Sequence, residues 1–184
     1  MEYLRTETHC HNIFSNGHVG SLEPIHDCNV TIPQQLEQAY LAGLNVLFVT
    51  NHNTIDGYKQ MLEYKKNHQK FDELKVYPAE EVTTNNEAHV LVYGIDHVIK
   101  SGLSLHEILD EAKKQNAVTI APHPFSLLDA LRDDSIYCDL FEVFNSSNVD
   151  MYSNLRAKNF ASERDLHVVA GSDSHVRSTV GRST

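Results

Sequence analysis

Basic residues are scarce in this chain. Fifteen lysines and arginines stand against twenty-five acidic residues over 184 positions, a formal charge of −10. That balance argues against a broad nucleic-acid-binding face and against docking on an anionic membrane surface. Cysteine is sparse too: Cys10, Cys28 and Cys138 form an odd, scattered set with no C-x-x-C pair, which argues against a disulfide framework and suits a reducing compartment. No apolar stretch approaches the length of a membrane span, and no charged leader followed by an apolar run opens the chain. Internal repeats, linkers and low-complexity segments are also missing. The expectation is a soluble, cytoplasmic chain. At 41% hydrophobic residues it is long enough for one packed domain over residues 1–184 and too short for two.

Histidine is what the chain has in excess, with twelve copies. The first notable pair is Thr8-His9-Cys10-His11, which follows an alternating, strand-like segment over residues 2–7. On a strand, residues i and i+2 share a face, so His9 and His11 point together while Cys10 turns away toward a core. Two imidazoles side by side suit a metal, but this spacing alone is a weak signal, and the rest of the chain must supply further ligands. The acidic surplus fits such a reading, because two or three divalent cations would cancel about four to six of its charges.

Residues 12–29 are rich in Gly, Ser, Asn and His and read as a loop. Thr31 as N-cap, Pro33 in the first turn and apolar residues at helical spacing predict a helix that Gly43 stops. The apolar run over 45–50 has the length of a strand buried on both faces. Further helices are expected over 56–67, from the Ser104–Glu107 capping box to 115, and over 152–164. Further strands are expected over 74–77, 89–94, 118–121, 139–145 and 166–170. Alternation of this kind implies a mostly parallel sheet or barrel clothed in helices, with ligands at the carboxyl ends of the strands. His9 and His11, His52, Glu81, His123, and Asp173 with His175 all fall at or just beyond such ends. His89 opens a strand instead, and a hairpin from Glu81 would fold it back beside that carboxylate.

Six segments now stand in order: His-Cys-His-Asn-Ile-Phe-Ser-Asn-Gly at 9–17, Thr-Asn-His-Asn-Thr at 50–54, Pro-Ala-Glu-Glu-Val-Thr-Thr at 78–84 followed by His89, Ala-Pro-His-Pro-Phe at 121–125, Glu-Val-Phe-Asn-Ser at 142–146, and Ala-Gly-Ser-Asp-Ser-His at 170–175. Together they resemble the polymerase and histidinol phosphatase (PHP) family of metal-dependent phosphoesterases, from His9 to about Arg182. The resemblance implies a distorted (β/α)7 barrel with two or three divalent metal ions in its mouth. By motif, His9, His11, Glu81 and Asp173 would hold a first ion, and Glu81 would bridge to a second held by His89 and His123. A third would fall to His52, His175 and position 16. That position is usually aspartate in the family and is Asn16 here, and Asn51 likewise stands where aspartate is usual, so the resemblance implies a weakened third site. Six imidazoles and two carboxylates suit Mn²⁺, Fe²⁺ or Zn²⁺, and the lack of thiolate spacing argues against a structural zinc.

Other residues carry plainer readings. The motif frame favours Glu81 over Glu80 as the bridge. Glu142 and Asn145 read equally as contacts to the ligands or substrate and as barrel supports. Arg177 and Arg182 are placed to clamp a phosphate, while His18, His26, His68, His97, His106 and His167 read as surface or structural. The implied activity is hydrolysis of a small phosphomonoester or nucleotide by metal-activated water, with Asp173 and His175 at the chemistry. A short oligonucleotide end is the second substrate. Alternatives are a carbamate or ester hydrolase using the same metals, and a catalytically degenerate metal-binding module. Only 34 residues separate His89 from His123, so no inserted domain is expected, as in stand-alone members of the family. The chain stops soon after the last motif, which reads as a clipped or unusually compact C-terminus.

Overall fold

The computed structural model describes residues 3–20 and 26–183. In chain order it contains β1 (Thr6–Glu7), α1 (Ile32–Leu41), β2 (Val46–Val49), α2 (Tyr58–Lys66), β3 (Lys75–Thr83), β4 (His89–Tyr93), α3 (Leu105–Lys114), β5 (Val118–Ala121), β6 (Leu140–Asn145), α4 (Met151–Arg164) and β7 (Val168–Gly171), with short 3-10 turns between them. The seven strands form one sheet in sequential order. Neighbours are parallel except for the pairs β3–β4 and β4–β5. The two edges come together beyond β1 and β7: Thr8 Oγ1 donates to the Ala170 carbonyl at 2.7 Å, and the backbone N–H groups of Asp173 and His11 donate to the His9 and Ser174 carbonyls at 2.7 and 3.0 Å. The result is a distorted (β/α)7 barrel, nearly closed, with helices outside.

Local sequence explains the elements. Asp150 caps α4 by accepting from the Ser153 N–H at 2.8 Å. At α3, Glu107 reaches back to the Ser104 N–H at 2.8 Å while Ser104 Oγ accepts from the Glu107 N–H at 3.4 Å, the reciprocal box expected from the sequence. Replacing Ser104 by alanine removes one acceptor for that turn. The melting temperature should fall by ~2–4 °C in a thermal melt, with the metal content of the protein unchanged.

Two strands differ from expectation. The segment expected over 2–7 pairs only at Thr6–Glu7; Tyr3 and Leu4 are exposed and lie off the sheet, and Glu2 falls outside the described residues. The strand expected over 74–77 runs on to Thr83, because it changes partner midway: residues 75–78 pair with β2 and residues 79–83 with β4. Pro78 sits opposite Val49, the last residue of β2, so its missing N–H falls at the changeover, where a strand tolerates it.

Strand periodicity then sorts the side chains. Val82, Val90, Val92, Ala121 and Phe141 face outward and pack with Ile108 of α3 and Ala157 and Ala161 of α4. Leu47 and Val49 meet Leu36, Ala39 and Met61 of α1 and α2. Ala79, Leu91, Tyr93 and Ile120, with Phe48, Leu140 and Val169, fill the floor of the barrel. Continuing up the inner face from Ala79 brings Glu81 and then Thr83, paired with Leu91 and His89. The inner wall therefore turns from apolar to polar at Glu81. Because β4 is antiparallel to β3, its first residue lies at the end where β3 finishes, which is why His89 joins groups carried by the ends of parallel strands. No helix among the described residues is long and apolar enough to cross a membrane.

Candidate metal centre

Six imidazoles meet at the mouth of the barrel. His9 and His11 come from the extended segment after β1, His52 from beyond β2, His89 from the start of β4, His123 from beyond β5 and His175 from beyond β7. Glu81 lies among them, 1% exposed, and serves two sides. Its Oε2 is 3.1 Å from both His9 Nε2 and His11 Nε2. Its Oε1 is 3.0 Å from His89 Nδ1 and 3.2 Å from His123 Nε2. Asp173 Oδ1 completes the first side, 3.3 Å from His9 Nε2 and from His11 Nε2.

The donor atoms fall into three overlapping groups, each within 4.8 Å across: His9, His11, Glu81 and Asp173; His52, Glu81 and His89; and His11, Asp27, His52 and His175. Several features fit these groups to cations. His11 Nε2 is buried without a hydrogen-bond partner although Glu81 Oε2 is 3.1 Å away; close approach without alignment is what groups aimed at a common third point show. Asp27 Oδ2 is likewise buried and unbonded, a costly state that a ligand would relieve.

The outer contacts also set the tautomers. Ser15 Oγ donates to Asn51 Oδ1 at 3.2 Å, so it accepts from His11 Nδ1 at 3.1 Å and leaves the Nε2 lone pair facing inward. His9 Nδ1 is held by Glu142 Oε1 at 3.2 Å, and His175 Nδ1 donates to the Asp173 carbonyl at 2.9 Å. Each of these rings points Nε2 at the centre, the arrangement metal-binding histidines adopt. His175 Nδ1 is engaged in this way, and its Nε2 lies 3.0 Å from Asp27 Oδ1.

Charge follows the same geometry. Burial penalises the ionised groups here, and at His9, Glu81, Asp173 and His175 the pairs outweigh it. Although burial works against a charged His9, Asp173, Glu81 and Glu142 hold its pKa well above the usual imidazole value. Burial would raise Glu81 and Asp173, but the neighbouring imidazoles keep both well below the ordinary carboxylate range. Burial dominates at His52, helped by His11 and His89 against Glu81, and pushes it down to about 3. His175 is raised to about 9 against its own burial by the hydrogen bond to Asp27 and the charge of Asp173. Protons and cations compete for the same lone pairs, so loading releases protons.

Support comes from β6. Glu142 Oε2 accepts from the His123 N–H at 2.6 Å and from Asn145 Nδ2 at 3.0 Å, and the same amide reaches Asp173 Oδ2 at 3.1 Å. Glu142 therefore braces His9 and His123 from behind, and Asn145 braces Asp173. Asn51 braces Asn12 through paired bonds of 2.9 and 3.0 Å and reaches the His11 ring through Ser15. Asp173 and His123 take left-handed backbone, with φ of 52° and 29°, at a cost of ~1–3 kcal/mol each.

Glu80 points outward, where its carboxylate accepts from the Ile99 N–H at 2.7 Å. Asn16, expected among the ligands, is spent elsewhere: its Oδ1 accepts from the Asp27 and Cys28 N–H groups at 2.8 and 3.0 Å, and its Nδ2 donates to the Cys28 carbonyl at 2.9 Å. Asp27 is the residue that lies with His11, His52 and His175. No spacing in the sequence marks Asp27, which lies in a loop 148 positions from His175. Arg177 and Arg182 are exposed and line no part of the cavity of about 160 Å³ above the centre, whose walls include Ser126, Asp129, Ser147 and Asn148. Cys10 is fully buried in the core beside α1. His18, His26, His97, His106 and His167 are exposed, and His68 is tied to the Tyr64 carbonyl at 2.7 Å.

Comparisons with known proteins bear on the fold and the family. Residues 152–184 match the family described as PHP-associated. An uncharacterised protein of Methanocaldococcus jannaschii, MJ1587, is 35% identical over 127 residues, 67% of this chain and 71% of that one. A candidate metal-dependent phosphoesterase from Bifidobacterium adolescentis superposes with a TM-score of 0.70 at 17% identity, over 95% of this chain and 88% of the other. The lesion-specific endonuclease PfuEndoQ from Pyrococcus furiosus does so with a TM-score of 0.61 at 16% identity, over 95% of this chain and 49% of that larger one. At these identities the structural likeness is one of fold. The chain belongs to the PHP family.

Proposed function

We propose that residues 1–184 form one cytoplasmic domain that hydrolyses a small phosphomonoester or nucleotide with divalent metal ions. The observation that carries this reading is the composition of the cavity: imidazoles and carboxylates converge there, and no lysine or arginine lines it. A phosphate entering such a site meets buried carboxylates without a lysine or arginine to offset them, a deficit that held cations would make good. His9, His11, Glu81 and Asp173 would hold one ion, and Glu81 with His89 and His123 another. Bound there, divalent cations supply Lewis acidity toward phosphoryl oxygens and acidify water.

The chain's own part is to orient and to exclude. Glu142 fixes the His9 ring, and Ser15 fixes that of His11. At about 160 Å³ the cavity fits a phosphoryl head, leaving the remainder of the substrate against the exposed rim side chains Leu128 and Val149. Apolar rim groups suit a nucleobase or another flat organic moiety better than a second charge. The same geometry admits the end of a short oligonucleotide, with the acidic surface opposing a longer one.

The test is hydrolysis by protein loaded separately with Mn²⁺, Fe²⁺ and Zn²⁺, using aryl phosphate mono- and diesters, nucleoside monophosphates and a short oligonucleotide. Monoester or nucleotide turnover is expected, and His9→Ala should lose both metal and activity. Absence of turnover on every ester, together with unchanged metal content in His9→Ala, would sink the proposal.

A further inference from the structure

The loop carrying Asp27 is fastened to the mouth of the barrel by bonds that do not involve its carboxylate. Cys28 Sγ donates to the His175 carbonyl at 3.3 Å, and the Asn29 N–H lies 3.5 Å from the same oxygen. Asn16 holds the other side through the three amide bonds to Asp27 and Cys28 already described. The Asp27 side chain, 9% exposed, is thereby placed with Oδ1 3.0 Å from His175 Nε2 and Oδ2 3.8 Å from His52 Nε2. That second oxygen is buried and has no hydrogen-bond partner. Both ring nitrogens facing this carboxylate, His52 Nε2 and His175 Nε2, belong to the third donor group.

Resting on the metal-centre reading above, we propose that Asp27 is a metal ligand, the carboxylate that joins His52 and His175 in a third site beside the His11 ring of the first, and that Asn16 is the residue that positions it. An amide is required at position 16 because one of its atoms must donate and the other accept. Asn16 Nδ2 faces the Cys28 carbonyl at 2.9 Å while Oδ1 takes two N–H groups. A carboxylate at position 16 would keep the accepting side and set an anion against the carbonyl oxygen. It would also add charge beside Asp27. The two assignments therefore make opposite predictions for one substitution: added negative charge at position 16 strengthens the third site if that residue is the ligand, and weakens it if that residue is the support.

The test is a Mn²⁺ titration of the metal-free full chain, counting bound ions by electron paramagnetic resonance and by elemental analysis. Wild type is expected to take three ions, two at the sites proposed around Glu81 and one at Asp27 with His52 and His175. Asp27→Asn, nearly the same shape, should lose more than ~10-fold in affinity for one ion and keep the other two. Asn16→Asp should weaken that same ion by ~10-fold, and far-ultraviolet circular dichroism of both variants should match wild type. Three ions at unchanged affinity in Asp27→Asn, or tighter binding in Asn16→Asp, would overturn the assignment. Two tight ions and no third in wild type would overturn it while leaving the proposed function standing. A wild type that binds none would overturn both.

Discussion

Glutamine at position 81 is expected to disable two of the three donor groups at once. Glu81 offers Oε2 to His9 and His11 and Oε1 to His89 and His123, all at 3.0 to 3.2 Å. The substitution keeps size and shape, removes the charge, and turns an N–H₂ toward nitrogens that would share a cation. Metal affinity should fall by more than ~100-fold, beyond the range seen for groups that merely support ligands, and hydrolysis should drop to background. In the metal-free protein the same change leaves charged His9 short of one buried partner, at a cost of ~3–5 kcal/mol. Elemental analysis after gel filtration and a denaturant titration read the two effects separately. Glu80→Gln supplies the control, since an amide oxygen can accept from the Ile99 N–H as the carboxylate does. If Glu80→Gln empties the site and Glu81→Gln does not, the inner and outer faces of β3 have been assigned the wrong way round.

That control bears on how much of the centre was legible before the fold. The neighbouring glutamates are alike in composition, and only the motif frame separates them in sequence. In the structure, the pairing of Glu81 with Leu91 places it on the same face as floor residues Ala79 and Tyr93, and the two-residue period sends Glu80 outward. His9, His11, His52, His123, Asp173 and His175 were legible because each closes or follows a strand, and strand ends are a one-dimensional signal. His89 was legible only through its hairpin, and the antiparallel register supplies the reason.

Asp27 was not legible, because its position depends on contacts from Asn16 and on backbone bonds to residue 175, with no local period to announce them. The same limit explains the arginines. Arg177 and Arg182 follow the last motif closely, but the chain after His175 turns away and buries Val180 beside Ala39 and Leu44, leaving both guanidinium groups in solvent. The strand expected over 74–77 continues through Pro78 to Thr83 because of the partner exchange between β2 and β4, a tertiary fact with no local signal.

Gly171→Ala is expected to damage the site without touching any donor. Gly171 closes β7 opposite Asn145 and precedes Asp173 by two residues. A Cβ there would lie 2.3 Å from Glu142 Oε1, 2.5 Å from His9 Cβ and 3.2 Å from Thr8 Oγ1. No side chain fits at those separations, so Glu142, His9 or β7 must move, and overpacking of this kind costs ~1–3 kcal/mol. The displaced contact is the one that holds His9 Nδ1, and losing such support typically lowers metal affinity ~10–100-fold. A lower melting temperature and weaker metal binding should therefore appear together. Adding Glu142→Ala to Gly171→Ala separates the causes: it removes the closest clash but not the need for a partner on His9. The pair should recover part of the melting temperature and none of the affinity, a coupling that a double-mutant cycle measures. Wild-type stability and metal content in Gly171→Ala alone would show that β7 does not press on this centre as the geometry requires.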